Sequence, residues 1–152
     1  MPCITADDVR QIVDVSEARG WSNPRIETRI GWSENRLLSR LAPAFGAAKI
    51  KGFLTTPEPP DIIKQIVLWL TAAEIYREVY GYRVEEGEPN PGAVWAGLAR
   101  DAINDLLKRN AAIIDANNIE HYAPSTVVHS CSEDTSLLGG PEARFPALND
   151  GD

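Results

Sequence analysis

Apolar residues crowd positions 57–82, PEPPDIIKQIVLWLTAAEIYREVYGY, more densely than any other stretch of the chain. Their spacing predicts one helix of about 20 residues, roughly 30 Å long, running over residues 60–80 and stopped by Gly81. Lys64, Thr71, Glu74 and Glu78 share a polar sector of about 80° at helical spacing. Most other positions are Ile, Val, Leu, Trp, Ala or Tyr. A helix so nearly apolar all round cannot face water alone, so it belongs inside a bundle, between subunits, or both. Trp69, Tyr76, Tyr80 and Tyr82 are core residues on this reading, or part of a subunit interface, where aromatic side chains are enriched.

The flanking pattern predicts three further helices. Thr5 is a good N-cap, and Asp7 and Asp8 complement the dipole of a helix over residues 6–18 that ends at Gly20. Asn23-Pro24 opens a second helix, expected to reach Leu41 and to stop before Pro43. Within it Ile26, Ile30, Leu37 and Leu41 fall in a sector of about 60°, a core seam. Arg25, Arg29, Arg36 and Arg40 fall in another narrow sector about a quarter turn away. Residues 42–60, punctuated by Gly46, Gly52, Pro57, Pro59 and Pro60, read as a loop, with a short strand or ordered turn over 47–53. After the acidic RVEEGE segment at 83–88, Asn90-Pro91 repeats the same opening signal. A last helix is expected over 92–116, with Trp95, Leu98, Ala102, Leu106 and Ile113 on one face and Asn117-Asn118 at its end.

From His121 the chain changes character. One basic residue, Arg144, stands against Glu133, Asp134, Glu142, Asp150 and Asp152, and no helical period is present. Such a segment is too polar to make its own core. The expected organisation is therefore all-α: a small bundle of about four helices over residues 1–120, with an extended C-terminal arm over 121–152. No repeat of 20–50 residues is visible.

Composition narrows the function classes. A chain of 152 residues suits one domain with a genuine core. Its net charge of -7 argues against a nucleic-acid binder driven by phosphate neutralisation. The first residues show no basic region followed by an apolar run, so no signal peptide is expected, and no apolar run is long enough to span a bilayer. Cys3 and Cys131, near opposite ends, cannot make a disulfide framework and suit a reducing compartment.

Candidate chemistry is sparse. His121, His129 and Cys131 supply too few ligands for a zinc site. A nucleophilic pair built on either histidine would need a rigid scaffold, and both lie outside the expected bundle. Glu85, Glu86 and Glu88 form a carboxylate cluster, but a solvated turn does not separate their pKa values. No catalytic residue, metal site or cofactor is expected. The arginine stripe stands out on an acidic chain. It is a solvated face, or it docks on carboxylates of a neighbouring copy or partner, which the planar guanidinium suits. Arg25, Arg29, Arg36 and Arg40, with Trp69, Tyr76 and Tyr80, are the candidate interface residues, and the acidic tail and RVEEGE segment are available complements.

The order of elements is a capped first helix (TADDVRQIV), a second (PRIETRIGWSENRLLSRL), a proline loop into an apolar helix ending in aromatics (PPDIIKQIVLWLTAAEIYREVYG), a last helix (VWAGLARDAINDLLKRNAAI) and a tail. Over residues 4–116 this resembles the head-to-tail connector family of tailed bacteriophages, the adaptor or head-completion proteins. The resemblance rests on element order and on the style of the third helix. It implies a helical bundle that assembles into a ring, typically dodecameric, beneath the portal protein. Such a ring extends the DNA channel without binding DNA specifically and docks the stopper or tail-completion protein. It also implies a place in the virion neck, reached from the host cytoplasm, with no membrane association. In the family the C-terminal segment reaches towards the portal, which would assign Val127, Val128, Leu137, Leu138, Arg144 and Phe145 to a portal-docking arm. The alternatives are a small helical regulatory or DNA-binding module that uses the arginine stripe, and a small enzyme using His121 or His129.

Overall fold

In the computed structural model, residues 2–15, 19–81 and 90–124 are described. Thr5 opens α1 (Ala6–Arg10) through a reciprocal cap: its hydroxyl accepts from the Asp8 N–H at 3.3 Å, and the Asp8 carboxylate accepts from the Thr5 N–H at 2.8 Å. The helix is much shorter than the expected 6–18. Val13 and Val15 are both buried while Asp14 between them is exposed, which is a period of two and ends the helical pattern. Arg10 ties the return of the chain, donating to the Trp21 carbonyl at 3.0 Å and to the Asn23 side-chain oxygen at 2.5 Å.

Helix α2 spans Asn23–Phe45. Ser22 occupies the cap position in place of Asn23, whose side-chain oxygen is taken up by Arg10. Pro43 lies inside the helix and does not stop it. So near the end, proline forfeits little more than its own bond to the Ser39 carbonyl. Gly46, at φ 91°, makes the break and starts α3 (Ala47–Thr55). The expected strand or turn is thus a helix: Ile50 and Leu54, one turn apart, are buried, and alanines and lysines favour the helical state.

Helix α4 spans Asp61–Tyr80 and is closed by Gly81 at φ 69°. Ile63, Ile66, Val67, Leu70, Thr71, Ala72 and Ile75 are buried along it. Thr71 was expected in the polar sector but is fully buried. Its hydroxyl bonds the Val67 carbonyl at 2.8 Å, so its polarity is satisfied within the helix. Helix α5 (Pro91–Leu107) packs most extensively on α4, with α2 the next largest neighbour and α1 and a short strand completing the enclosure. The Asn90 side chain caps α5 by accepting from the Gly92 N–H at 2.9 Å.

Helix α5 does not continue to 116. The Asp105 carbonyl accepts from the Asn110 and Ala111 N–H groups, and Arg109 turns the chain at φ 65°. An antiparallel hairpin follows, β1 (Ile113–Ile114) with β2 (Glu120–His121), pairing Ile113 with His121. Ile113 is therefore a buried strand residue, and Leu98, expected on the core face of α5, is 42% exposed. Asp115 closes the hairpin turn, accepting from the Asn117 and Ile119 N–H groups at 2.8 and 3.0 Å. His121 bonds Asp115 at 2.9 Å and its ring lies 5.2 Å from Phe53. So His121 belongs to the folded unit, which reaches at least the buried Ala123, beyond the expected boundary at 120. The fold among the described residues is a five-helix bundle with a two-stranded hairpin. No helix there is long and apolar enough to cross a membrane.

Two helical glycines make opposite predictions. A Cβ on Gly52 meets nothing within 4 Å, so Gly52→Ala is expected to stabilise the fold by about 0.5–1 kcal/mol through backbone entropy. A Cβ on Gly92 would sit 2.9 Å from Tyr76 Cδ1 and 3.2 Å from Asn90 Oδ1, so Gly92→Ala should cost about 1–3 kcal/mol. Urea denaturation midpoints that moved the same way for both variants would contradict this packing.

Candidate functional site

The arginine stripe of α2 faces the carboxylates of α4. Arg25 and Arg29 both donate to Glu78, at 2.6 and 2.5 Å, one to each carboxylate oxygen. Arg36 reaches Glu74 at 3.4 Å, and Arg77 holds the other oxygen of Glu74 from one turn away. The sequence had suggested the acidic tail and RVEEGE segment as complements, but both lie outside the described residues. Here the partners of Arg25, Arg29 and Arg36 come from α4 of the same chain. Two of these cations also stack: Arg25 lies 4.1 Å from the Trp21 ring centroid and Arg29 lies 4.2 Å from that of Trp32. Arg40 forms no ion pair with any described residue.

Arg40 instead borders a groove of about 500 Å³ between α2, α4 and α5. Leu70 and Ala73 of α4 and Gly92, Ala96, Gly97 and Ile103 of α5 form its apolar part. Small residues on α5 leave the space open. Arg36, Arg40, Arg77 and Arg100 line it too, with Glu74 as the acid among them. So a chain of net charge -7 gathers four guanidinium groups round one cleft.

The aromatic candidates divide. Tyr76 is half-buried in the α4–α5 seam, its ring 4.6 Å from Tyr80 and edge-on to Trp95 at 5.9 Å. Trp69 is half-buried against the core. Tyr80 is 40% exposed and accepts from Arg19 at 3.3 Å. Tyr82 and the arm residues Val127, Val128, Leu137, Leu138, Arg144 and Phe145 lie outside the described residues, as do His129 and Cys131.

Sequence reasoning missed several exposed apolar side chains, among them Trp32 on α2, which is 60% exposed. Val94 and Leu98, one turn apart on α5, stand out of the bundle, and Ile114, Ile119 and Tyr122 do so on the hairpin. A signal existed for the first pair. With Gly92, Ala99, Ile103 and Leu106 taken as the seam of α5, Val94 and Leu98 fall on the opposite side. The hairpin gives none: Ile114 falls inside the expected last helix, and Ile119 and Tyr122 lie in a stretch with no alternation to mark a strand.

Among the described residues two carboxyl groups, Glu78 and Asp115, carry shifted pKa values. Partial burial pushes Glu78 up, but the hydrogen bonds and charges of Arg25 and Arg29 outweigh it and hold the group below its ordinary range. The hydrogen bond from His121, followed by the Ile119 and Asn117 N–H groups, holds Asp115 low. Cys3 is buried beside Glu34, and burial followed by that carboxylate drives its thiol pKa up. Among the described residues no group of three His, Cys, Asp or Glu gathers in metal-binding reach. No known family model matches the chain, and no curated protein or solved structure is similar to it.

Glu78 has a folded pKa below its unfolded value of 4.5, so its contribution is present above that value and is lost as pH falls through the lowered one. Glu78→Gln is expected to lower stability at pH 7 by about 0.5–1 kcal/mol, modest because the pairs are partly solvated. The wild-type and variant denaturation curves should converge in acid and in high salt. Curves separated equally at pH 7 and pH 2 would rule out the ion pairs as the cause.

Proposed function

We propose that this chain is a structural head-to-tail adaptor of a tailed bacteriophage. Copies assemble into a ring beneath the portal protein, extend the DNA channel and dock the stopper or tail-completion protein. One observation carries the assembly part of this reading. Among the described residues the large apolar side chains left exposed lie on several separate elements: Trp32 on α2, Tyr80 on α4, Val94 and Leu98 on α5, and Ile114, Ile119 and Tyr122 at the hairpin. A closed ring is built from a heterologous contact, in which one patch of each copy meets a different patch of the next. A monomer with apolar side chains exposed on separate elements has the parts for it.

The phage identification rests on the resemblance in element order, and a dodecamer is the stoichiometry that it implies. Net negative charge suits a channel wall that lets DNA slide without gripping phosphate. The main alternative, a small helical DNA-binding module, would read its target with the arginine stripe. Arg25 and Arg29 are committed to Glu78, which counts against that use.

Light scattering of the full chain, alone and with portal protein, tests the proposal. The expected result is a ring-sized species in at least one condition, and a monomer of unchanged helicity for Val94→Asp/Leu98→Asp. A wild-type chain that stays monomeric and ignores portal at every concentration would end this reading. Salt-dependent DNA binding under those conditions would favour the regulatory module.

A further inference from the structure

The groove between α2, α4 and α5 has an apolar floor and an excess of positive charge, and the rest of the chain holds a segment with the reverse charge. Arg40 has no ionic partner among the described residues, and Arg100 pairs only with its exposed neighbour Asp101. Near them Leu70 and Ile103 line the same cleft. Residues 125–152 carry Glu133, Asp134, Glu142, Asp150 and Asp152 against Arg144. Within them, residues 133–138 read EDTSLL: two adjacent carboxylates followed within one short stretch by two leucines. That sequence matches the groove in both chemistries.

Reach and concentration favour the same chain as the source. Fully extended, the chain from Pro124 reaches about 30 Å at Glu133 and about 46 Å at Leu138, whereas α5 is about 26 Å long. Covalent tethering over a span of that length gives such a segment an effective concentration on the order of millimolar, well above that of free copies in dilute solution.

We propose that residues 133–138 dock in the groove of their own chain. The carboxylates of Glu133 and Asp134 pair with Arg40 and Arg100, and Leu137 and Leu138 rest on the apolar floor. Docking of this kind stows the acidic segment against the bundle and covers the cationic cleft. It does not depend on the ring reading, because it is a contact within one molecule.

Cys131, two residues before Glu133, is a native attachment point for a photocrosslinker, while Cys3 is buried and its thiolate disfavoured. The test uses the full chain labelled at Cys131 with a maleimide–benzophenone, followed by irradiation and peptide mapping. Crosslinks are expected on the α2 and α5 residues that border the groove, with a yield independent of protein concentration. Arg40→Glu/Arg100→Glu should lower that yield about fivefold. Glu133→Arg/Asp134→Arg should do the same, and combining the two pairs of reversals should restore it. Circular dichroism should show equal helicity throughout, since Arg40 and Arg100 are exposed. Crosslinks elsewhere on the bundle, or none, would overturn the proposal. Groove crosslinks that joined two molecules and rose with concentration would overturn the same-chain assignment, and a combined variant that failed to recover would overturn the pairing.

Discussion

From Ile66 to Tyr76, helix α4 has no exposed residue, and every other element takes its position from that. A helix surrounded on this scale needs neighbours on more than one side, and α2 and α5 supply the two largest, with α1 and β1 at the remaining gaps. Burial supplies the bulk of the drive but little direction, since apolar contact alone would let α2 slide or rotate along α4. Glu74 and Glu78 add direction. They are the polar positions of α4 that meet α2, and their pairing with Arg36, and with Arg25 and Arg29, runs in the order that an antiparallel helix requires. Each pair contributes little energy where it stands, so its larger effect is on register.

Helical class and the central place of α4 were legible because long periodic segments carry their own evidence. The core seam of α2, Ile26, Ile30, Leu37 and Leu41, appears as the spacing suggests. Short elements were not legible. Helix α3 presents two buried residues among lysines and a glycine, too few to establish a period. The hairpin hides behind α5 because helix formers continue up to Arg109, and only the left-handed turn there ends them. That turn depends on local carbonyl bonding, which no periodicity reports. The same turn decides the place of His121: a helix carried on to 116 would leave it in the tail, whereas Asp115 and Phe53 hold it in the fold.

The same division runs through the candidate site. The two stripes, arginines on α2 and carboxylates on α4, could each be read from spacing. Their meeting could not, because it depends on how two helices separated by α3 cross. Once they meet, the stripe is no longer one surface. Its N-terminal half is neutralised by Glu78 and stacked on Trp21 and Trp32, whereas its C-terminal half borders the groove, Arg36 reaching Glu74 there and Arg40 having no ion pair with any described residue. A stripe uniform in sequence is thus mostly a clamp on α4, with Arg40 as its one member that pairs with no described residue.

That split bears on any functional reading of the acidic chain. A protein that gathered all its arginines on one open face would present a strong local field and would attract polyanions despite its net charge. Here Arg25 and Arg29 are spent on Glu78 and Arg36 reaches Glu74, and the arginines that border the groove sit beside an apolar floor. A floor of that kind favours a ligand that brings both carboxylates and aliphatic carbon, because burying phosphate alone on Leu70 and Ile103 would desolvate charge without apolar gain. Polypeptide rich in acids and leucines meets that requirement, and bare nucleic-acid backbone does not. A groove of this make-up thus favours polypeptide over nucleic-acid backbone by its floor as much as by its charge.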